Sequence, residues 1–121
     1  MPLVKKVNHI FEPNPLACGQ AVLAMLTGVD VFEIITLVGT EKETKLSDMK
    51  SILKQFDIAF KDNKISVDKK CELPPVALLS LETPKCWHWS LFFDGKFYDP
   101  EYGVLDDFPP SNRRFFWEIL T

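Results

Sequence analysis

An α+β architecture, with helices in the N-terminal half and an antiparallel sheet in the C-terminal half, follows from three features of the sequence. Between residues 18 and 56, apolar residues recur at helical spacing, interrupted by Gly28 and Gly39. After residue 56 that period is lost, and apolar and aromatic residues gather into short runs. Two of these runs are joined by Asp94-Gly95, a strong hairpin signal. Helices followed by strands, without alternation, give an α+β fold and not a parallel α/β one.

The first 17 residues carry Pro2, Pro13 and Pro15, which forbid regular structure over most of the segment; residues 7–11 fit a short edge strand. Ala21, Val22, Met25 and Leu26 then mark a short, mostly apolar helix that opens at Cys18 and stops at Gly28, and it belongs in the centre of the domain. Asp30 and Glu33 form a capping box ahead of Ile34, Ile35, Leu37 and Val38, and Gly39 ends this second helix. Ser47 is the expected cap of a third, with Met49, Ile52, Leu53 and Phe56 on one face. Residues 58–60 and 65–67 fit short strands, and Pro74-Pro75 opens a buried strand over 76–81. Residues 87–93 and 96–98 form the hairpin, and residues 115–120 fit a helix or a strand equally.

The composition restricts the class of function. A chain of 121 residues forms one domain, and its 46% hydrophobic content, with ten Phe and three Trp, supplies a core and excludes disorder. Fourteen basic against seventeen acidic residues leave a formal charge of −3, without the basic surplus of a nucleic-acid binder. No run approaches the roughly 18 apolar residues of a membrane span. The N-terminus has Lys5 and Lys6 but no apolar stretch behind them, so it does not read as a secretory signal. Three cysteines without regular spacing suit a reducing compartment better than a disulfide framework. The expectation is a cytoplasmic monomer with no membrane or nucleic-acid partner, although delivery as an effector by another route is compatible with it.

Cys18 stands directly before the apolar helix. Open backbone N–H groups and the helix dipole favour negative charge there, so a thiol in such a position gains thiolate character. Gly19 admits close approach to the sulfur. Of the two histidines, His9 reads as an ordinary polar residue, whereas His88 opens the hairpin between Trp87 and Trp89. With the turn at Asp94-Gly95, residues 90 and 99 face each other, which brings Asp99 close to His88. The chain therefore offers a nucleophile, a base and an acidic group that orients the base. Each has a plainer reading: a core cysteine, a structural histidine and a turn aspartate.

Taken in order, Leu16-Ala17-Cys18-Gly19-Gln20, then His88-Trp89-Ser90, then Asp94-Gly95-Lys96-Phe97-Tyr98-Asp99-Pro100 resemble the bacteriocin-leader-processing branch of the papain-like cysteine peptidases. The resemblance covers nearly the whole chain. It implies a papain-like fold, with the nucleophile on a central helix packed against the sheet, and a Cys18–His88–Asp99 triad that attacks an amide carbonyl through a thioester. It also implies a protein or peptide substrate and a backbone oxyanion donor at Cys18. In that family a Gln six residues before the Cys donates to the oxyanion, and here that position is Glu12. The expectation is that Glu12 faces away and that Asn14, stiffened between Pro13 and Pro15, or a backbone N–H takes the role. A protonated Glu12 and a hole completed by a partner are the other solutions, and the amide of Gln20 lies on the far side of the Cys.

Peptide-bond cleavage leads among the reactions, with deamidation of a protein glutamine or acyl transfer as alternatives. A catalytically inactive binding module is the alternative from another class. No cofactor is expected. Cys18, Cys71, Cys86 and His88 lack the spacing of a structural zinc site, so no metal is expected either.

Overall fold

Three helices precede a six-stranded antiparallel sheet in the computed structural model, which describes residues 6–120. The proline-interrupted start over residues 1–5 lies outside the described residues. α1 spans Cys18–Thr27, α2 Val31–Val38 and α3 Leu46–Gln55. α1 is mostly apolar and has residues Cys18 through Leu26 buried, which makes it the central helix of the molecule. Asp30 caps α2, its Oδ2 accepting the Phe32 N–H at 3.1 Å. α1 and α2 meet at 114°, so the second helix turns across the first. α3 buries Met49, Ile52 and Leu53. Ser47 lies inside α3 and is not its cap: Lys45 holds the N-cap position, and Asp48 Oδ2 accepts the Lys45 N–H at 2.9 Å. A carboxylate in the first turn does the work that the serine was expected to do.

The strands are β1 (Ile65–Ser66), β2 (Val76–Glu82), β3 (Trp87–Phe93), β4 (Lys96–Asp99), β5 (Gly103–Leu105) and β6 (Arg114–Glu118), arranged in the order β1-β6-β2-β3-β4-β5. β2 lies between β3 and β6 and has both faces covered, which accounts for its nearly continuous apolar sequence. One face, with Val76, Leu78, Leu91 and Trp117, packs on the helices; the other, with Ala77, Leu79, Leu81, Phe92, Phe97 and Phe116, is covered by Leu73, Leu105 and Phe108. The β3–β4 turn places Asp94 at φ 46° and Gly95 at φ 85°, the paired left-handed residues of a two-residue hairpin, with Phe93 opposite Lys96.

Two expected strands are absent. Residues 7–11 form no strand, because the segment meets the sheet through a single backbone bond, Glu12 N–H to Pro100 C=O at 2.9 Å, which is too little for a ladder. Residues 58–60 give only one isolated bridge, Phe60 to Ile119. The C-terminal run is a strand: β6 sends Trp117 to the helix side and Phe116 to the opposite face, an alternation that only a sheet can bury.

Candidate active site

Cys18 is the first residue of α1 and is 8% exposed. Ala17 occupies the N-cap position, and no side chain caps the helix, so the N–H groups of its first turn remain open. β4 ends at Asp99, opposite Ser90 in the hairpin register, and one residue further along β3 the Trp89 N–H donates to Cys18 Sγ at 3.4 Å instead of to a neighbouring strand. Gly19 makes this contact of helix and strand possible. A Cβ there would collide with Thr44 Oγ1 and lie 3.0 Å from Trp89 Cδ1 and 3.1 Å from Met49 Sδ. The Trp89 indole N–H donates to the Thr44 carbonyl at 3.4 Å, which ties the loop before α3 into the same contact.

The structure brings His88 and Asp99 together in the interior. His88 Nε2 lies 3.0 Å from Oδ1 and 3.1 Å from Oδ2 of Asp99. Ser90 Oγ donates to Oδ2 at 2.8 Å, and the N–H groups of Glu101 and Tyr102 donate to Oδ1 at 2.9 and 3.0 Å. Asp99 is wholly buried, and these donors are what make a carboxylate tolerable there. Burial pushes its acidity down, but the hydrogen bond and charge of His88, with the two backbone donors, outweigh it and hold the carboxyl below its ordinary pKa. Burial likewise opposes the charged form of His88. The hydrogen bond to Asp99, followed by the influence of the neighbouring Cys18 sulfur, overcomes this and raises the imidazole to about 10. With Nε2 engaged by Asp99, Nδ1 is the nitrogen left for the Cys18 sulfur. A thiol, an imidazole and a carboxylate thus come together, the set of groups that thiol chemistry uses.

The two candidate oxyanion donors are placed oppositely to expectation. Asn14 is half-buried and committed elsewhere: its Oδ1 accepts the Leu16 N–H at 2.8 Å and its Nδ2 donates to the Glu41 carbonyl at 3.1 Å. Glu12 does not face away. Its Oε1 is buried with no hydrogen-bond partner, and burial, partly offset by the charge of His88, raises the carboxyl to about 7. Gln20 is wholly buried; its Nε2 donates to the Thr40 and Lys42 carbonyls at 2.8 and 2.7 Å, so it fastens the loop between α2 and α3.

Several contributors were not foreseen. His9 Nε2 is 2.7 Å from the Asp99 carbonyl, so the second histidine braces the residue that holds the first, and nothing in its local sequence marks it. Ser90 was detectable, because the register that pairs 90 with 99 puts its hydroxyl beside the carboxylate. The Glu101, Tyr102 and Trp89 contacts use backbone N–H groups and leave no residue-type signal.

A cleft of about 140 Å³ opens over Cys18 and His88, walled by Pro15 and Leu16, by Glu43 and Thr44, and by Cys86, Trp87 and Trp89. A larger hollow of about 700 Å³, beyond α3 and lined by Lys54, Asp57, Phe60 and Asp62, holds no thiol, hydroxyl or imidazole. Among the described residues, no three His, Cys, Asp or Glu side chains converge as metal ligands, and Cys71 and Cys86 are exposed free thiols. No single helix among them is long and apolar enough to cross a membrane. Compared with known proteins, the chain matches no family model and no curated sequence.

Two predictions follow from this geometry. Gly19→Ala crowds Thr44 and Trp89, so the helix propensity gained is outweighed by overpacking that costs about 1–3 kcal/mol in such sites. Its thermal midpoint falls below wild type, and adding Thr44→Ala recovers part of the loss; a midpoint at or above wild type would show that the helix and β3 are not in tight contact. The second concerns the His88–Asp99 pair. His88 is raised from 6.5 to about 10, so its contribution to stability is complete below 6.5 and is lost as pH rises through about 10. Asp99 is lowered from 3.8, so its contribution is present above that value and is lost as pH falls through the depressed one. The stability difference between wild type and His88→Gln, about 3 kcal/mol for a broken buried pair, is therefore largest between these limits and narrows towards alkaline pH. Thermal melts that give a constant difference from mildly acidic to strongly alkaline pH refute the pairing.

Proposed function

We propose that the protein is a papain-like thiol hydrolase of the kind that the motifs around Cys18, His88 and Asp99 resemble, with amide-bond cleavage in a protein or peptide as its reaction. The observation that carries this reading is the position of His88, hydrogen-bonded to the buried Asp99 carboxylate and lining one cleft with Cys18, which stands at an uncapped helix N-terminus. A core cysteine has no need of that company. The donated Trp89 N–H at Sγ and the open amides of α1 support the same reading, since both stabilise a thiolate.

In this mechanism the Cys18 thiolate adds to the carbonyl carbon, and the electron pair of the C=O bond moves onto oxygen. The Cys18 N–H donates to that oxygen. The intermediate collapses, the C–N bond breaks, and the amine leaves with a proton from His88. His88 then takes a proton from water as it attacks the thioester; the C–S bond breaks, the acid is released, and the thiolate and protonated imidazole are restored. Asp99 keeps the imidazole in one tautomer and orientation throughout.

The test is direct. Cys18 alkylates faster than Cys71 and Cys86 at mildly acidic pH although it is the least exposed of the three, and His88→Ala slows it selectively. Equal rates for the three cysteines, indifferent to His88, would leave an inactive binding module. Asp99→Asn lowers turnover by up to about 10⁴-fold while the fold is kept. Intact-mass analysis of candidate substrate proteins separates the reactions open to this site: fragments mean proteolysis, a gain of about one dalton means glutamine deamidation, and an added group means acyl transfer to a non-water acceptor.

A further inference from the structure

The wall of the cleft over Cys18 holds one carboxylate that the mechanism above leaves without work. Glu43 lines this cleft, and His88, the imidazole on the opposite side of the chemistry, has its charge balanced by the buried Asp99. Among the described residues the Glu43 carboxylate makes no ion pair. The loop that carries it is nevertheless fixed. The buried Gln20 amide holds the Thr40 and Lys42 carbonyls at 2.8 and 2.7 Å, Asn14 Nδ2 holds that of Glu41 at 3.1 Å, and the Trp89 indole N–H holds that of Thr44 at 3.4 Å. The backbone on both sides of Glu43 is thus tied to the body of the protein. The loop also sorts its charges: Glu41 and Lys42 line a separate hollow beside Phe32, and Glu43 alone of the three lines the cleft with Cys18. The walls around it are apolar, with Leu16 and Trp87 exposed and Trp89 half-buried. Trp87 already receives one cation, the Arg113 guanidinium 5.2 Å from its ring centroid, and Glu82 neutralises that charge through two hydrogen bonds of 3.2 and 2.7 Å.

Resting on the thiol-hydrolase reading, we propose that the substrate carries a cationic side chain, lysine or arginine, on the residue whose carbonyl Cys18 attacks, and that Glu43 selects it. Apolar walls with one carboxylate match a side chain that is apolar along its stem and positive at its end. Leu16, Trp87 and Trp89 take the methylenes, Glu43 pairs with the charge, and the electron-rich indole faces favour the same sign. A cleft of about 140 Å³ is smaller than the roughly 300 Å³ at which pockets for whole small ligands begin, so it takes a single side chain. The acyl residue is the one placed there, because it stays joined to the Cys18 sulfur through both chemical steps while the amine departs after the first. An anionic side chain in the same place meets Glu43 and is rejected.

The experiment measures acylation of Cys18 in the whole chain by the p-nitrophenyl esters of N-acetyl-lysine, N-acetylnorleucine and N-acetylglutamate. Norleucine shares the stem of lysine and lacks its charge. Rates are taken at about pH 7, where the lysine is cationic and the glutamate anionic, with mass mapping to assign the acyl group to Cys18. Each is divided by the rate of the same ester with free N-acetylcysteine, which removes differences in intrinsic reactivity. In wild type the lysine ester is favoured over norleucine by about tenfold, and the glutamate ester is slowest. The lysine-to-norleucine ratio shrinks as salt is added, because the Glu43 carboxylate is exposed and screened. Glu43→Gln, which keeps the shape and removes the charge, brings the ratio towards unity, and Glu43→Lys reverses the order of the lysine and glutamate esters. A lysine ester no faster than norleucine in wild type, or a lysine preference that survives Glu43→Gln, overturns the subsite and, with Cys18 still acylated, leaves the thiol hydrolase standing. A Cys18 that none of the esters acylates and that alkylates no faster than Cys71 and Cys86 overturns both.

Discussion

A carboxylate with no exposure to water is the point around which this molecule is organised. Taking Asp99 out of solvent is tolerable only if every oxygen lone pair finds a donor, and the fold supplies four: the His88 imidazole, the Ser90 hydroxyl, and the N–H groups of Glu101 and Tyr102. Each donor fixes something else. Ser90 and His88 lock the open end of the β3–β4 hairpin. The two amides set the turn that leads into β5. His9 secures the backbone of the same residue from the N-terminal side. Because the four donors converge on one pair of oxygens, the imidazole has little freedom left.

The other half of the arrangement is close packing. α1 has to lie against β3 for Cys18 to meet His88, and the approach is limited by whatever stands at position 19. Glycine there lets Trp89 and Thr44 close over the first turn, and the aromatic contact between Trp89 and Trp117, with centroids 5.9 Å apart, continues the wall into the core. Interiors packed to this density transmit small changes in side-chain volume, so the geometry around the sulfur is sensitive to what stands at position 19.

The parts of this structure legible in the sequence are those written in periodicity and turn chemistry. The central helix, its glycine stop and the Asp94-Gly95 hairpin are readable from local pattern alone, and the hairpin register is enough to bring His88 and Asp99 together. Local pattern misled where the deciding partner is distant or is backbone. Residues 7–11 look like a strand, yet no free sheet edge receives them. Asn14 between two prolines looked well placed to donate, but its amide closes a turn onto Leu16 and Glu41, whereas Glu12, which looked misplaced, is the one drawn inward. Its burial depends on contacts with residues some ninety positions away, and no local window holds that information.

The separation of these residues along the chain also couples chemistry to folding. Cys18 lies on a ten-residue helix that lacks a side-chain cap, and a helix of that length is marginal in water without tertiary support. Its companions arrive only when a hairpin seventy residues later has closed and docked. A nascent or partly folded chain therefore presents an ordinary thiol with none of its neighbours in place. The sulfur acquires its neighbours only together with those long-range contacts, which makes it a built-in reporter of completed folding.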